Sequence, residues 1–186
     1  MKPQQLIEIL NTAEKLKCIT RHSFTSAGRQ ESVAEHSWRL CLMALLLEDE
    51  FSDVDINKVI KMCVIHDLGE AFTGDIATFR KTRKDRTEEE RLFSSWIDSF
   101  PEYQKKQFSE LLCEMNALET KEAKLYKALD KLEAVIQHNE SDISTWLELE
   151  YDLQLNYGRE AVQHSPYLKE LKEYIDCWTR RKIAEG

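Results

Sequence analysis

His36, the doublet His66-Asp67 and Asp130 are ionisable side chains standing where helix periodicity expects core. His36 lies in Val33-Ala34-Glu35-His36-Ser37-Trp38-Arg39-Leu40, one turn ahead of Leu40 on a segment too apolar to leave much of its circumference in water. His66-Asp67 follows Val64-Ile65 at the end of a second apolar segment, and Asp130 interrupts a third between Leu129 and Leu132. Taken singly, each has an ordinary explanation: a satisfied core or surface histidine, or an i,i+4 contact for Asp130. Buried carboxylates and imidazoles are tolerated when they are paired or bind a metal. Together, two imidazoles and two carboxylates form the mixed nitrogen and oxygen set that suits a first-row divalent ion with room left for water.

Such residues need helices to position them. Five Gly and three Pro in 186 residues is well below average usage and favours long uninterrupted helices, hence an all-α chain. Pro3 to Lys17 keeps a helical period through Leu6, Ile7, Leu10, Ala13 and Leu16, after which 18–31 reads as a loop. Ser32 with Glu35 makes a capping box for a helix from Val33 to Glu48, apolar on nearly all sides and expected to be central and buried. Asp55 caps a helix that carries Ile56, Val59, Ile60, Cys63 and Val64 up to His66-Asp67 and ends near Gly69 to Gly74. The basic run Arg80 to Arg86 reads as a solvated loop, and Thr87 with Glu90 caps the helix after it. Beyond Pro101 come a helix with Leu111, Leu112 and Met115, a longer one from Leu118 to His138, and helices over Trp146 to Tyr157 and Tyr167 to Ile183.

Length and composition fit one globular unit able to bury about 70% of its unfolded surface. With 26 basic against 34 acidic residues the net charge is -8, which repels nucleic acid and requires a local cationic pocket for any anionic ligand. The longest apolar run, Leu40 to Leu47, is far short of the roughly 20 residues that cross a bilayer. Five scattered cysteines without a CxxC pair, and an N-terminal stretch without a signal-peptide apolar region, lead us to expect a reduced, cytoplasmic protein. The four tryptophans read as core or dimer-interface residues, and His138 and His164 as facing solvent.

The chain resembles the HD-domain metal-dependent phosphohydrolases, specifically their small 5'-deoxynucleotidase-like branch. The resemblance rests on Arg21, on Arg29 followed by Ser32-Val33-Ala34-Glu35-His36-Ser37, on His66-Asp67-Leu68-Gly69-Glu70, on Thr73-Gly74-Asp75-Ile76, and on Leu129-Asp130. It runs from about residue 5 to residue 180, so residues 1–186 are expected to form a single HD domain. An HD doublet alone is weak. The ordered His, His-Asp and Asp set at intervals of 30 and 63 residues, with EHS and HDxxE…GD, is specific.

The resemblance implies that His36, His66, Asp67 and Asp130 hold one divalent ion (Mn, Co, Fe, Ni, Mg or Zn), that Glu70 and Asp75 are the catalytic carboxylates, and that Arg21 binds the substrate phosphate with Arg29 as a second candidate. Glu70 and Asp75 follow Asp67 by three and eight residues, so a helix end with a Gly69/Gly74 turn can set both beside the ion without binding it. The implied reaction is hydrolysis of a (deoxy)ribonucleoside 5'-monophosphate in a homodimer. One ion suffices for this chemistry, and His22, His138 and His164 alone are too few for a second complete site. His22 stands where bacterial nucleotidases of this branch carry tryptophan, and Ala77-Thr78-Phe79 lacks the prolines frequent after GD, so the resemblance carries the metal centre and not the sugar or base preference. Hydrolysis of another phosphorylated or signalling nucleotide would use the same centre. A helical regulatory module without turnover would not need all four ligands and both carboxylates.

Overall fold

Helix α7 (Lys121–Glu140) runs through the middle of the molecule, because apolar residues recur on it at three- and four-residue spacing over about three turns: Leu125, Ala128, Leu129, Leu132 and Val135 are all essentially inaccessible. The computed structural model describes residues 1–186. Around α7 pack α2 (Val33–Leu46), α3 (Ile56–Ile65), α6 (Glu102–Ala117) and α9 (Pro166–Glu185). Helices α1 (Pro3–Ala13), α4 (Glu70–Thr73), α5 (Arg83–Ile97) and α8 (Glu150–Asn156) complete the helical set. One contiguous core joins Leu40 and Ala44 of α2, Val59 and Met62 of α3, Leu129 and Leu132 of α7, and Leu168 and Ile175 of α9. None of the helices is long and apolar enough to cross a membrane.

The expected caps of the two site-bearing helices form. Ser32 Oγ accepts from the Glu35 amide at 3.2 Å while the Glu35 carboxylate accepts from the Ser32 amide at 2.9 Å, closing the capping box of α2. Asp55 Oδ1 accepts from the Lys58 amide at 3.1 Å and starts α3.

Four local expectations are corrected. Residues 18–31 are not a plain loop: β1 (Thr20–Phe24) and β2 (Gln30–Ser32) form an antiparallel hairpin packed on α7. Helix α5 begins one turn earlier than the Thr87 signal, because Thr82 and Asp85 form their own capping box, so the second half of the basic run is helical. The segment after Trp146 stays irregular until Glu150. Helix α2 is not covered on all sides. Val33, His36, Leu40 and Ala44 face the core, whereas Trp38 is 65% exposed and Leu46 68% exposed.

Between α3 and α5 the chain reverses within a few residues. Gly74 closes α4 by donating its amide to the Glu70 carbonyl at 2.8 Å and takes φ 76°, ψ 166°, a conformation open essentially to glycine alone. Asp75 follows directly. Gly74→Ala is therefore expected to cost about 1–3 kcal/mol, the strain of a side chain held in that region, and to lower turnover by displacing Asp75. Thermal unfolding alongside activity checks this; an unchanged Tm would show that the turn relaxes freely.

Candidate metal centre

His36, His66, Asp67 and Asp130 meet at one point. Helix α2 turns His36 into the core with Val33 and Leu40, leaving it 0% exposed. His66 caps the C-terminus of α3, with Asp67 just beyond, and Asp130 projects from the middle of α7. The Nε2 atoms of His36 and His66 are 3.2 Å apart. Asp67 Oδ2 lies 2.9 Å from His66 Nε2 and 3.9 Å from His36 Nε2. Asp130 Oδ1 lies 3.7 Å and 3.3 Å from the same two nitrogens.

The outer hydrogen bonds decide what these atoms present to each other. His66 Nδ1 is 2.8 Å from the Cys63 carbonyl oxygen, which only accepts, so Nδ1 carries the ring proton and Nε2 keeps its lone pair. His36 Nδ1 faces the Glu133 carboxylate in the same way. Lys127 Nζ donates to Asp130 Oδ2 at 2.7 Å and leaves Oδ1 to the cluster. Two imidazole lone pairs and two carboxylate oxygens thus converge without a donor among them. A divalent cation relieves that repulsion, and a histidine anchored through its other nitrogen is the usual supported ligand. Without a cation, a proton takes the role: burial and Arg21 oppose the imidazolium, but Glu133 and Asp130 raise His36 to about 9. Burial likewise opposes the charge on Asp67, yet His66 and His36 hold it below the usual carboxylate range.

Sequence reasoning missed the layer behind this cluster. Glu133, fully buried one turn after Asp130, also accepts from Arg39 Nε at 2.6 Å and faces Arg21 Nη1 at 3.5 Å. Burial works against its charge, but His36 and the arginines hold its pKa at about 2. Arg21 donates to Glu31 Oε2 at 3.0 Å across the hairpin, which ties β1 to β2 beside the centre. The only signal in the sequence was the i,i+3 spacing of Asp130 and Glu133, which places both on one face.

Glu70 and Asp75 lie on the other side. Glu70 is 3% exposed, its Oε2 has no hydrogen-bond partner, and its Oε1 is 3.6 Å from Lys81 Nζ. Burial, together with Asp67 and Asp75, pushes it up to about 10, with Lys81 opposing. Burial also raises Asp75, against the pull of Arg21. Lys81, expected in a solvated run, is largely buried and paired with Glu89 at 2.6 Å. Arg21 and Asp75 line a pocket walled further by His22, Phe79, His138 and Tyr157. His138 was expected to face solvent, but it is half-buried in this wall, 3.0 Å from Glu150. Arg29 is not brought to the cluster or the pocket: it is exposed and bonded to Glu35 at the start of α2.

The sequence profile described as HD domain matches residues 13–172. Human 5'-deoxynucleotidase HDDC2 is 30% identical over 142 residues, covering 74% of this chain and 68% of the human protein. Among solved structures, a predicted metal-dependent phosphohydrolase from Magnetospirillum magnetotacticum MS-1 superposes with a TM-score of 0.78 at 27% identity, over 98% of this chain and 96% of that one. The cyanophage S-2L HD phosphohydrolase DatZ, bound to dA and one catalytic Zn2+ ion, shares the fold with a TM-score of 0.58 at 21% identity, over 95% and 96% of the two chains. Helices that carry an ordered His, His-Asp and Asp set to one point, in a chain this similar over most of its length, belong to the HD domain family.

Proposed function

We propose that this HD phosphohydrolase removes phosphate from deoxyribonucleoside 5'-monophosphates, with residues 1–186 acting as a single domain. The observation that carries the reading is the convergence of two imidazole nitrogens and two carboxylate oxygens beside a pocket lined by Arg21 and Asp75. The relatives named 5'-deoxynucleotidase support the substrate class. His36, His66, Asp67 and Asp130 would hold one divalent ion. When bound, that ion supplies Lewis-acid polarisation of a phosphoryl oxygen and makes water more acidic.

The chain's own residues do the rest. Arg21 offers a guanidinium, already held between Glu31 and Glu133, to the nonbridging phosphate oxygens. Glu70, proton-bearing at neutral pH, suits the acid that delivers a proton to the departing 5'-oxygen as its bond to phosphorus breaks. Asp75, whose rise Arg21 and Lys81 oppose, suits the base that takes a proton from the attacking water as the new bond forms. Arg29 has no part in this reading.

A second copy of the chain would cover the exposed face of α2. Trp38, Leu45 and Leu46 there continue into a groove shared with Leu10 of α1 and Val64 of α3, an apolar surface larger than isolated exposed residues make. We assign the protein to the cytoplasm, which its five cysteines without a disulfide support.

Phosphate release across deoxy- and ribonucleoside 5'-monophosphates, with metal-stripped and reloaded protein, tests the function. Hydrolysis of the deoxy series that needs added metal is expected, and Asp67→Ala should lose the centre's ion and activity together. Normal turnover by Asp67→Ala would end the reading.

Glu70→Gln separates proton transfer from folding. Its folded pKa of about 10 lies above the ordinary carboxyl value of 4.5, so the folded chain keeps a proton that the unfolded chain releases, and stability is lost progressively as pH climbs between those values. The amide removes that loss. Turnover should fall by roughly 10²–10⁴-fold, while the Tm of the metal-free variant at pH 8 rises by about 2–4 °C or more, the shift expected from ~1 kcal/mol in a chain of this size. The Tm gain should vanish below pH 4.5; a variant less stable than the parent at pH 8 would contradict it.

For the dimer, Trp38→Glu puts a charge at the centre of the apolar face. Light scattering should show a shift from two copies to one with the circular dichroism unchanged. A parent chain that is monomeric at all concentrations would refute the assembly.

A further inference from the structure

The sequence leaves His22, His138 and His164 apparently unrelated, but the fold brings two of them together. His22 on β1 and His138 on α7 both point Nε2 at the carboxylate of Glu150, the first residue of α8. Glu150 Oε1 is 3.0 Å from His138 Nε2 and 3.2 Å from His22 Nε2. The carboxylate is 1% exposed and its other oxygen accepts from the Leu147 amide at 2.8 Å, which fixes its orientation. Burial opposes its charge, but hydrogen bonds from His138 and the Leu147 amide keep it below the usual carboxylate range.

The protonation pattern repeats that of the HD cluster. His138 Nδ1 lies 3.0 Å from the Ala134 carbonyl oxygen, one turn back along α7, so the ring proton resides on Nδ1 and Nε2 carries a lone pair. In the neutral ring that lone pair faces the Glu150 carboxylate oxygen at 3.0 Å, a gap that either a proton on Nε2, which makes the hydrogen bond, or a metal ion bridges. His66 is anchored on the Cys63 carbonyl in the same manner. The two rings at this second place are held from outside, His22 edge-on to Phe79 with centroids 5.5 Å apart and His138 edge-on to Trp146 at 5.9 Å. All three donor atoms lie within 4.8 Å of one another, a separation that one small ion can span.

We propose that His22, His138 and Glu150 form a second divalent-cation site, separate from the HD cluster and sharing no ligand with it, that takes an ion of the zinc class. Two imidazoles and one carboxylate are a recurrent three-residue set for zinc with one coordination position left to water or ligand. Here that open position faces the pocket, because all three residues line its wall along with Arg21 and Asp75. His138 is fixed by its backbone anchor, Glu150 by the amide of Leu147, and His22, 25% exposed, completes the set from the rim. Occupancy of this site therefore places a positive charge in the same cavity as Arg21, in an otherwise acidic protein.

Equilibrium dialysis of the metal-stripped full chain against micromolar Zn2+, read by elemental analysis, tests the site independently of turnover. The parent chain should saturate at two ions. His138→Ala and Asp67→Ala should each retain one, and the double variant none. His22→Ala removes only the rim ligand and is expected to fold normally, as circular dichroism checks; it should weaken the second ion by at least about 10-fold, the lower end of what a lost supporting group costs a metal site, while the first binds as before. Saturation of the parent at one ion would overturn the proposal, as would two tightly held ions in both His138→Ala and His22→Ala. The Asp67→Ala measurement keeps the two centres apart: loss of the HD ion alone bears on the proposed hydrolysis, and loss of the His138-dependent ion alone bears on this site.

Discussion

The burial of the His36 imidazole at the crossing of α2 and α7 is the constraint around which the rest is arranged. A polar ring with no exposure must satisfy both nitrogens inside the protein. One nitrogen meets Glu133 and the other meets the lone pairs of His66 and the oxygens of Asp67 and Asp130. The first requirement buries a carboxylate, which in turn demands cations. Arg21 from the hairpin and Arg39 from α2 supply them. Helix pairing, the hairpin and the geometry of the cluster are thereby tied into one network.

Such a network is costly to assemble and severe to break. Removing one partner from a buried charged pair leaves the other without compensation, typically a loss of several kcal/mol, whereas the intact pair contributes little net stability. The arrangement is therefore better understood as fixing geometry than as holding the fold together. Stability comes from the apolar stripes of α2, α3, α7 and α9. What the charges provide is a centre in which each imidazole is anchored through Nδ1 and Asp130 keeps one oxygen free of Lys127.

Glu70 expresses the opposite trade. An unpartnered, buried carboxyl oxygen beside Asp67 and Asp75 opposes folding at neutral pH. Sites that perform proton transfer hold such groups because an ordinary, solvated carboxyl would be fully ionised there. Lys81 moderates the effect from a segment that looks like a solvated charge run until α5 is seen to begin at Arg83 and carry Glu89 towards it.

The helices that carry the cluster, and the four polar residues that meet in it, were legible in the sequence because each depends on local rules. Apolar spacing of three and four residues defines α2, α3 and α7, Ser32/Glu35 and Asp55 mark two of their starts, and a histidine or aspartate inside such a stripe is visible as an exception. Several things were not legible. The strands Thr20–Phe24 and Gln30–Ser32 are short and polar, and they are held by Arg21 and Glu31 rather than by an alternating apolar face. Thr82/Asp85 and Thr87/Glu90 are both plausible helix starts, and which one is used depends on what α5 packs against. Glu133, Arg39 and Lys81 look like any charged residue on a helix, because a charge reads as solvated until a partner from a distant element buries it. His22, His138 and Glu150 come from three elements, the two histidines 116 residues apart in sequence. Sequence by itself determined the stripes, the caps and the exceptional polar residues, since these follow from periodicity within one helix. The tertiary structure alone decided which charges meet and which ring nitrogen keeps its proton, because both depend on groups that only folding brings within hydrogen-bonding distance.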